Sequence, residues 1–207
     1  MRRVPIEVIP RIPDPVRKVA RGTVWTAGRL TARWRDLPDF LVIGAQKAGT
    51  TALYAYLRWH PEIGGPFWKE VSFFDRHWAR GEAWYRGQFP LRRRGRLAGE
   101  ASPSYVFHPL APQRVVSLVP DVKLIVLLRE PGERAYSHYQ HEVALGREPL
   151  SFEDALEAED ERLRGEVERL HSDPKAFSFA WWNHTYVSRG KCSNQRSSWS
   201  AYIPRDT

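Results

Sequence analysis

The chain has 207 residues, a length that fits one domain of ordinary size or one domain with an extension. Hydrophobic residues make up 42% of it, which is enough apolar material for a core and excludes global disorder. The single cysteine, Cys192, excludes an internal disulfide, and the net charge of +8 favours anionic partners such as nucleic acid, anionic lipid, acidic glycan or a charged nucleotide.

The first 37 residues are predicted to form a basic extension that precedes the domain. Four early prolines disfavour regular structure at its start: Pro5, Pro10, Pro13 and Pro15. From Val16 to Trp34, basic residues alternate with apolar ones. This pattern fits either a basic amphipathic helix on a membrane surface or a solvated helix at the domain edge, and we favour the solvated helix.

The cellular compartment is predicted from three weak signals. No stretch approaches the ~20 apolar residues that span a bilayer. The extension shows no continuous apolar h-region of a secretory signal, and a single cysteine fits a reducing compartment. We therefore expect a cytoplasmic protein, with peripheral membrane contact through the basic extension left open.

The stretch from Asp39 to Tyr54 predicts a strand, a glycine-bounded loop and a helix. Leu41–Ile43 is a short apolar run typical of a buried strand, and apolar residues then recur at helical intervals, at Leu53, Tyr56 and Leu57. Such an arrangement turns backbone N–H groups and a helix N-terminus towards a phosphate or similar anion.

The loop departs from a nucleotide-triphosphate motif. Gly44 and Gly49 have the spacing of the Walker A pattern, G-x-x-x-x-G-K-[ST], but the lysine lies inside the loop at Lys47. Thr50 occupies the position where the Walker lysine belongs. The loop is therefore predicted to bind an anion, while its usual triphosphate ligand is disfavoured.

Alternating strands and helices follow, and they predict a three-layer α/β domain with a parallel sheet flanked by helices over residues 38–207. The segment Val122–Leu128 is nearly unbroken in apolar residues, which predicts a strand covered on both faces. Ser151 is a candidate N-cap for a helical segment that runs to residue 171. The other predicted elements are a strand at Leu97–Glu100, helices at Pro112–Leu118 and near Gly132, and a final helix at Gln195–Tyr202 with Trp199 inward.

The loop sequence also carries a family resemblance. It resembles the 5′-phosphosulfate loop of sulfotransferases that use 3′-phosphoadenosine 5′-phosphosulfate (PAPS), through Gln46, Lys47, Ala48, Gly49, Thr50 and Thr51. The resemblance implies a P-loop nucleoside-triphosphate-hydrolase-like sulfotransferase fold and the cofactor PAPS, whose product is 3′-phosphoadenosine 5′-phosphate. It also implies that Lys47 stabilises the leaving phosphate, which is electrostatic catalysis by a preorganised cation.

A second motif lies at the end of the predicted strand 122–128. The residues from Leu128 to Tyr139 resemble the family's 3′-phosphate site, R-[DE]-P-x-x-R-x-x-S-x-Y. By this resemblance Arg129 and Ser137 hold the 3′-phosphate, since a guanidinium can form paired hydrogen bonds to a phosphate. Arg134 is interpreted as structural.

A third motif supplies a candidate base. The segment from Lys69 to Asp75 resembles the K-E-x-x-F-F segment of glycan-modifying sulfotransferases, which implies that Glu70 is the catalytic base and that Lys69 contacts the acceptor. A positioned carboxylate can remove the proton of an attacking hydroxyl or amine. The alternative is a surface Lys–Glu pair beside core phenylalanines.

Two further segments resemble parts of the family that lie near the acceptor. Gly99–Tyr105 resembles E-[KA]-[ST]-P-x-Y and implies acceptor contacts by Glu100 and Ser102, although Ala101 stands where some members have lysine, which leaves the acceptor class open. The segment from Trp182 to Trp199 resembles an aromatic R-G-x-Y-x-x-Q-L-x-x-W stretch with two departures, and His184 is a candidate acceptor contact.

Together these motifs imply a sulfotransferase that moves a sulfuryl group from PAPS to a hydroxyl or amine of a carbohydrate or glycolipid, without a metal and without a nucleic-acid partner. His138 and His141 lie three residues apart, but no further ligand is spaced to complete a metal site. The family has a later strand and helices beyond the point where this sequence ends, so we expect a C-terminally truncated domain with weak or absent activity.

Two other functions stay open from the sequence. A P-loop nucleotide kinase or NTPase would need a Walker B aspartate, whereas the strand 122–128 ends in Arg129. A non-catalytic module that binds anions could use the arginines at 92–96 and the basic extension, although such a cluster is more often a solvated loop.

Overall fold

The computed structural model describes residues 28–173 and 175–202. Most of the predicted amphipathic segment from Val16 to Trp34 lies outside these residues, as do the four early prolines. In the part of the chain that the structure describes, none of the helices combines the length and the apolar character needed to cross a membrane.

Four parallel strands form one sheet in the order β2–β3–β1–β4. Phe40 of the central strand lies opposite Gly99 on one side and Lys123 on the other. All five residues of that central strand are buried, and because the strands are parallel, their carboxyl ends meet at one edge. The strands are β1 (Phe40–Gly44), β2 (Ile63–Gly64), β3 (Leu97–Ala101) and β4 (Lys123–Val126).

Helices connect and flank the strands. They are α1 (Thr50–Trp59), α2 (Glu82–Arg86), α3 (Ala111–Leu118), α4 (Pro131–Ala144), α5 (Phe152–Glu157), α6 (Glu159–Leu163), α7 (Glu166–Ser172), α8 (Phe179–Asn183) and α9 (Cys192–Ser200). Short 3₁₀ turns lie at Ala32–Trp34, Trp78–Arg80 and Ser188–Gly190, and a π-helical turn lies at Phe73–His77.

The core divides into layers on the two faces of β1, because successive side chains of a strand point to opposite faces. Leu41 and Ile43 pack on one face against an aromatic cluster and α3. Phe40 and Val42 pack on the other face against Tyr54 of α1. A Cβ on Gly99 would lie 2.0 Å from the Phe40 ring, so only glycine allows this close packing of β3 beside β1.

The predicted three-layer α/β fold with a parallel sheet is confirmed, as are several of its elements. The strand at 41–43, the helix after the loop and the helix at 112–118 form within a residue or two of their predicted bounds. Ser151 caps α5 by accepting a hydrogen bond from the Asp154 N–H at 3.1 Å. Trp199 of α9 is 6% exposed, and its Nε1–H donates to the Val106 carbonyl at 3.1 Å.

Two predictions about individual elements are wrong. The strand predicted at 122–128 is limited to β4, none of whose residues is buried, and Leu128 is 64% exposed. Within the described chain β4 pairs only with β1, so an apolar run correctly predicted a strand but not its position at the sheet edge. The helical segment after Ser151 divides into α5, α6 and α7, with Gly165 at φ +74° before α7.

The described end of the predicted extension packs on the domain. Ala32 is buried, and the Arg35 guanidinium donates to the Phe89 carbonyl and to Thr31 Oγ1, the latter at 2.8 Å. The predicted boundary between residues 37 and 38 stays a prediction.

Candidate active site

A cavity of about 470 Å³ opens at the carboxyl edge of the sheet. Its wall combines the loop after β1, the turn at Glu70, the residues after β3, one face of α4 and the segment around α8. Seven residues predicted from the motifs line it: Gln46, Lys47, Gly49, Thr50, Thr51, Glu70 and Ser137. Motifs far apart in the sequence thus meet at one cavity.

The loop between β1 and α1 has the backbone of an anion site. Lys47 and Gly49 both adopt left-handed conformations, at φ +68° and φ +91°, and Gly49 is the N-cap of α1. No side chain caps this N-terminus, so the first N–H groups of α1 are available to a ligand. A Cβ on Gly49 would meet no atom within 4 Å, which shows open space on the loop's outer side.

Lys47 is a cation that the surroundings partly desolvate. Burial lowers the pKa of its ammonium, while the carboxylates of Glu142 and Glu70 raise it and the ammonium of Lys69 lowers it. Desolvation strengthens the attraction between this ammonium and an anion in the cavity, because less water screens the charges.

Glu70 lies on a strained turn between β2 and β3. Its φ is +60°, and its N–H donates to the Ala101 carbonyl at 3.2 Å, which ties the turn to the end of β3. The side chain of Glu70 is 52% exposed, and its carboxylate pairs with the Lys69 ammonium. A solvated carboxylate held at a cavity wall by backbone bonds is suited to accept a proton from a ligand.

Arg129 follows the end of β4, and Ser137 lies on α4. Ser137 lines the cavity, whereas Arg129 is exposed beside it. The Arg129 guanidinium donates to the Lys47 carbonyl at 3.2 Å and to the Glu133 carboxylate at 3.1 Å and 3.2 Å. It thereby joins the anion loop to the start of α4. Ala48 and Lys69 also lie next to wall residues without being part of the wall.

Glu100 and Ser102 are buried and are not among the residues that line the cavity, and their contact with the acceptor stays a prediction. Glu100 is fully buried, and its carboxylate accepts from Ser102 Oγ at 2.6 Å, from the Tyr105 hydroxyl at 2.7 Å and from the Tyr85 hydroxyl. Burial raises the pKa of Glu100 to about 7, although the hydroxyl donors lower it. A carboxylate enclosed by three hydroxyl groups has no free oxygen to offer a ligand.

This buried network supports the turn that carries Glu70. Ser102 Oγ accepts from the Ser72 N–H at 3.1 Å, and the Tyr105 hydroxyl accepts from the Phe73 N–H at 2.8 Å. Ser72 is itself left-handed, at φ +51°. The network therefore fixes the backbone two and three residues after the candidate base.

His184 is likewise absent from the lining of the cavity, and its predicted acceptor contact stays a prediction. It is 8% exposed, and its Nε2 lies 3.1 Å from the Arg147 carbonyl. Its ring packs edge-on against Phe179 at 5.3 Å. These contacts hold His184 inside the packing between α8 and the end of α4.

Five wall residues were not among the predicted site residues: Pro103, Ser104, His141, Trp182 and Arg189. Ser104 donates to the carboxylate of Asp75, whose pKa is raised to about 6 by burial. Pro103 and Ser104 lie inside the recognised motif 99–105, and Trp182 and Arg189 lie inside 182–199. His141 follows Ser137 by four residues on α4, a spacing that places both on one helix face and could have revealed it.

Arg189 brings a second cation to the wall. It is 4% exposed, and its guanidinium donates to Thr185 Oγ1 at 2.5 Å and to the carbonyls of Trp181 and Trp182 at 3.2 Å each. Burial lowers the pKa of Arg189 to about 9. These bonds fix Trp182 and Arg189 relative to one another at the cavity.

The two histidines of α4 lie in different surroundings. His141 lines the cavity, whereas His138 is fully buried, packs against the Tyr186 ring at 5.1 Å and has its pKa lowered to about 4 by burial. Across residues 28–173 and 175–202, no group of three or more His, Cys, Asp or Glu side chains is arranged to hold a metal ion. The absence of a metal from the reaction stays a prediction.

Comparisons with known proteins agree on one family. The family model described as "Sulfotransferase domain" matches residues 37–206. A solved structure, a sulfotransferase from Alicyclobacillus acidocaldarius, is 33% identical with a TM-score of 0.65, over 82% of this chain and 70% of that one.

Curated relatives match a shorter part. Heparan sulfate glucosamine 3-O-sulfotransferase 6 of Mus musculus is 44% identical over 51% of this chain and 30% of its own length. Bifunctional heparan sulfate N-deacetylase/N-sulfotransferase 1 of Caenorhabditis elegans is 39% identical over 53% of this chain and 13% of its own length. The chain therefore spans less than a third of the length of these curated relatives.

Proposed function

Because this chain belongs to the sulfotransferase domain family, we propose that it transfers the sulfuryl group of PAPS to a hydroxyl or amine of a carbohydrate or glycolipid. The observation that carries this proposal is the placement of Lys47 and Glu70 on the wall of one cavity. A cation for the leaving group and a carboxylate for the acceptor's proton are the two groups that this transfer requires.

The residues present fit the donor. The uncapped N-terminus of α1 and the left-handed turn at Lys47 and Gly49 form a cradle of N–H groups for its phosphosulfate. Arg129 and Ser137 lie beside this loop, where they would hold the 3′-phosphate that distinguishes the donor from ATP. To do so, Arg129 exchanges part of its present hydrogen bonding to Glu133 for the phosphate.

The reaction then follows from the residues of the wall. When bound, the donor supplies an activated sulfuryl group. The acceptor oxygen or nitrogen forms the new bond to sulfur, the bond between sulfur and the phosphate oxygen breaks, and its electron pair stays on that oxygen. Glu70 takes the acceptor's proton, and the Lys47 ammonium with the N–H groups of Gly49–Thr51 stabilises the charge that develops on the leaving oxygen.

The names of the relatives support a carbohydrate acceptor. One relative is named for transfer to the 3-O position of glucosamine in heparan sulfate, and the other for N-sulfation of heparan sulfate. A hydroxyl and an amine therefore both occur as acceptors among proteins similar to this chain. The cavity wall adds the aromatic ring of Trp182, whose apolar surface suits the C–H groups of a sugar ring.

Isothermal titration calorimetry with 3′-phosphoadenosine 5′-phosphate and with ATP tests this function. We expect binding of the 3′-phosphorylated nucleotide and a clear preference for it over ATP. Lys47→Ala and Arg129→Ala should each weaken that binding, whereas Arg164→Ala, which removes an exposed guanidinium on the distant segment after α6, should leave it unchanged. Preference for ATP, or indifference to both nucleotides, would refute the proposal.

A further inference from the structure

A second surface lies at the amino edge of the sheet, away from the cavity. Two segments form it, one that precedes β1 and one that precedes β3. The Arg92 N–H donates to the Trp34 carbonyl at 2.9 Å, and Arg35 forms an antiparallel bridge with Leu91, so the two segments are continuous. We call this the basic–apolar surface, and its exposed residues are Arg29, Leu30, Arg33, Trp34, Leu91, Arg92, Arg93 and Arg94.

Three large apolar side chains of this surface face solvent. Leu30 is 78% exposed, Trp34 52% and Leu91 53%. Leu30 ends a helical turn at residues 28–30, and Trp34 ends the short 3₁₀ turn Ala32–Trp34 that follows it. Single exposed apolar residues are common, but three that are grouped in this way indicate a contact surface.

Most arginines of the surface have no carboxylate partner among residues 28–173 and 175–202. Of the arginines in this surface, only Arg92 has a carboxylate partner in the described part of the chain: Asp36, at 3.2 Å. The Arg33 guanidinium lies 3.9 Å from the centroid of the Trp34 ring, which joins a charge and an aromatic side chain at one point. Arg93 and Arg94 lie in a turn closed by the Arg96 N–H and the Arg93 carbonyl at 3.2 Å.

We propose that the basic–apolar surface docks the protein on a membrane that contains anionic lipids. The arginines would meet the charged headgroups, while Leu30, Trp34 and Leu91 would enter the boundary between headgroups and acyl chains. An acidic polysaccharide would satisfy the arginines but would leave these three apolar side chains in water, so lipid fits the surface better. The sequence immediately before it adds further positive charge, at Arg17, Lys18 and Arg21.

Docking in this orientation leaves the cavity accessible. The anion loop follows β1 and Ser104 follows β3, so both lie at the carboxyl edge of the parallel sheet. The basic–apolar surface lies at the amino edge, ahead of the same two strands. The bilayer would therefore cover the end of the domain that takes no part in the proposed transfer.

The test is co-sedimentation of the full 207-residue chain with lipid vesicles. We expect binding to phosphatidylcholine vesicles that contain phosphatidylserine, little binding to pure phosphatidylcholine, and weakening by salt. The double variant Arg93→Glu/Arg94→Glu should bind more than about tenfold more weakly, since each basic residue near an anionic surface contributes several-fold. Trp34→Ala should also weaken binding, and its effect should persist at high salt because it removes apolar contact.

Arg164→Glu/Lys175→Glu is the matched control, since it makes the same change in net charge on exposed residues elsewhere. It should keep most of the vesicle binding. Circular dichroism and calorimetric nucleotide binding verify that each variant is folded. Equal binding by the two double variants would overturn the proposal, as would a wild-type chain that does not bind the anionic vesicles. Binding to heparin fragments that depends on Arg93 and Arg94, with no vesicle binding, would identify an acidic polymer as the partner instead.

Discussion

Two glutamates from neighbouring motifs end in opposite surroundings. Glu70 is half-exposed at the cavity wall, on a left-handed turn, and its carboxylate pairs with the ammonium of Lys69. Glu100 is fully buried, and three hydroxyl groups donate to its carboxylate. Both resemble family residues near the acceptor, but only Glu70 can touch a ligand in the cavity.

The difference between the two glutamates indicates different roles: Glu70 is placed to meet a ligand, whereas Glu100 belongs to a network that supports the fold. The buried network around Glu100 binds the backbone of Ser72 and Phe73, and so it holds the strained turn that presents Glu70. Strain in a backbone turn persists only where the surrounding structure fixes it. We therefore expect substitutions at the cavity to change transfer more than stability, and substitutions in the network to do the reverse.

A large effect on the transfer rate is expected for Lys47→Ala. Removing the cation that we propose for the leaving oxygen should lower the rate of sulfuryl transfer by about 10²–10³-fold, as the loss of a charge-stabilising donor does elsewhere. Labelled PAPS and a glucosamine-containing oligosaccharide measure the rate. Lys175→Ala, which removes an exposed ammonium, is the control and should transfer at the wild-type rate. If the two variants behave alike, Lys47 has no part in the reaction.

The next largest effect is on folding. Glu100→Ala leaves the buried hydroxyls of Tyr85, Ser102 and Tyr105 without their acceptor and creates a void, so the free energy of unfolding should fall by about 2–5 kcal/mol. Urea denaturation with an unchanged m-value measures it. Glu82→Ala removes an exposed partner of Arg86 and should cost less than about 1 kcal/mol. Similar losses for the two variants would contradict the network's role.

The pH dependence of stability should also distinguish the buried glutamate. Its pKa is about 7 in the folded protein, above its ordinary value of 4.5, so the folded state keeps a proton that the unfolded state releases. Its contribution is therefore fully present below about pH 4.5 and is lost as the pH rises through 7, by about 1.4 kcal/mol per pH unit. Burial also raises the pKa of Asp75, to about 6, so its contribution to stability is likewise lost as the pH rises.

Comparing the wild-type protein with Glu100→Gln separates the contribution of Glu100 to the pH dependence of stability from the contributions of the histidines. Burial lowers the pKa of His138 to about 4, which removes stability as the pH falls below 6.5 and affects both proteins alike. The melting temperature of Glu100→Gln, relative to wild type, should rise between pH 5 and pH 8. A difference that does not change with pH would show that Glu100 is already ionised in the folded protein at low pH.

The smallest effect concerns the strained turn itself. Glu70 has φ +60°, a conformation that costs a residue with a Cβ about 1–2 kcal/mol and glycine very little. The free energy of unfolding of Glu70→Gly, measured by urea denaturation, should therefore exceed that of Glu70→Ala by about 1 kcal/mol, although both variants lack the carboxylate. Equal stability of the two variants would show that the turn is relaxed.

Much of the fold could be predicted because its signals are local. The apolar run Leu41–Ile43, the bracketing Gly44 and Gly49, and the helical spacing after Thr50 define β1, the loop and α1 within the sequence itself. The edge position of β4 could not be predicted in this way, since an apolar run records residue type and not the number of neighbouring strands. Arg92, Arg93 and Arg94 of the arginine loop at 92–96 are exposed, and the choice between a solvated loop and a binding patch stays a prediction.

The cavity was predictable only where a motif residue points outward. Lys47, Glu70 and Ser137 meet there as their motifs imply, but the motif around Glu100 gives no indication that Tyr85 and Tyr105 enclose it. Burial of Glu100 depends on α2, which brings Tyr85 from fifteen residues away. Arg189 lay inside a recognised segment, yet only the folded chain shows that it reaches the wall.

The most direct test of the central claim compares Glu70→Gln with Glu100→Gln in one transfer assay, with the affinity for 3′-phosphoadenosine 5′-phosphate measured alongside. Glu70→Gln should lower the rate by about 10²–10⁴-fold without a change in nucleotide affinity, because only the proton acceptor is lost. Glu100→Gln should keep transfer within about tenfold of wild type, since its amide stays inside the network. Retained transfer by Glu70→Gln, or equal loss of transfer and nucleotide binding, would contradict the role of Glu70 as the base.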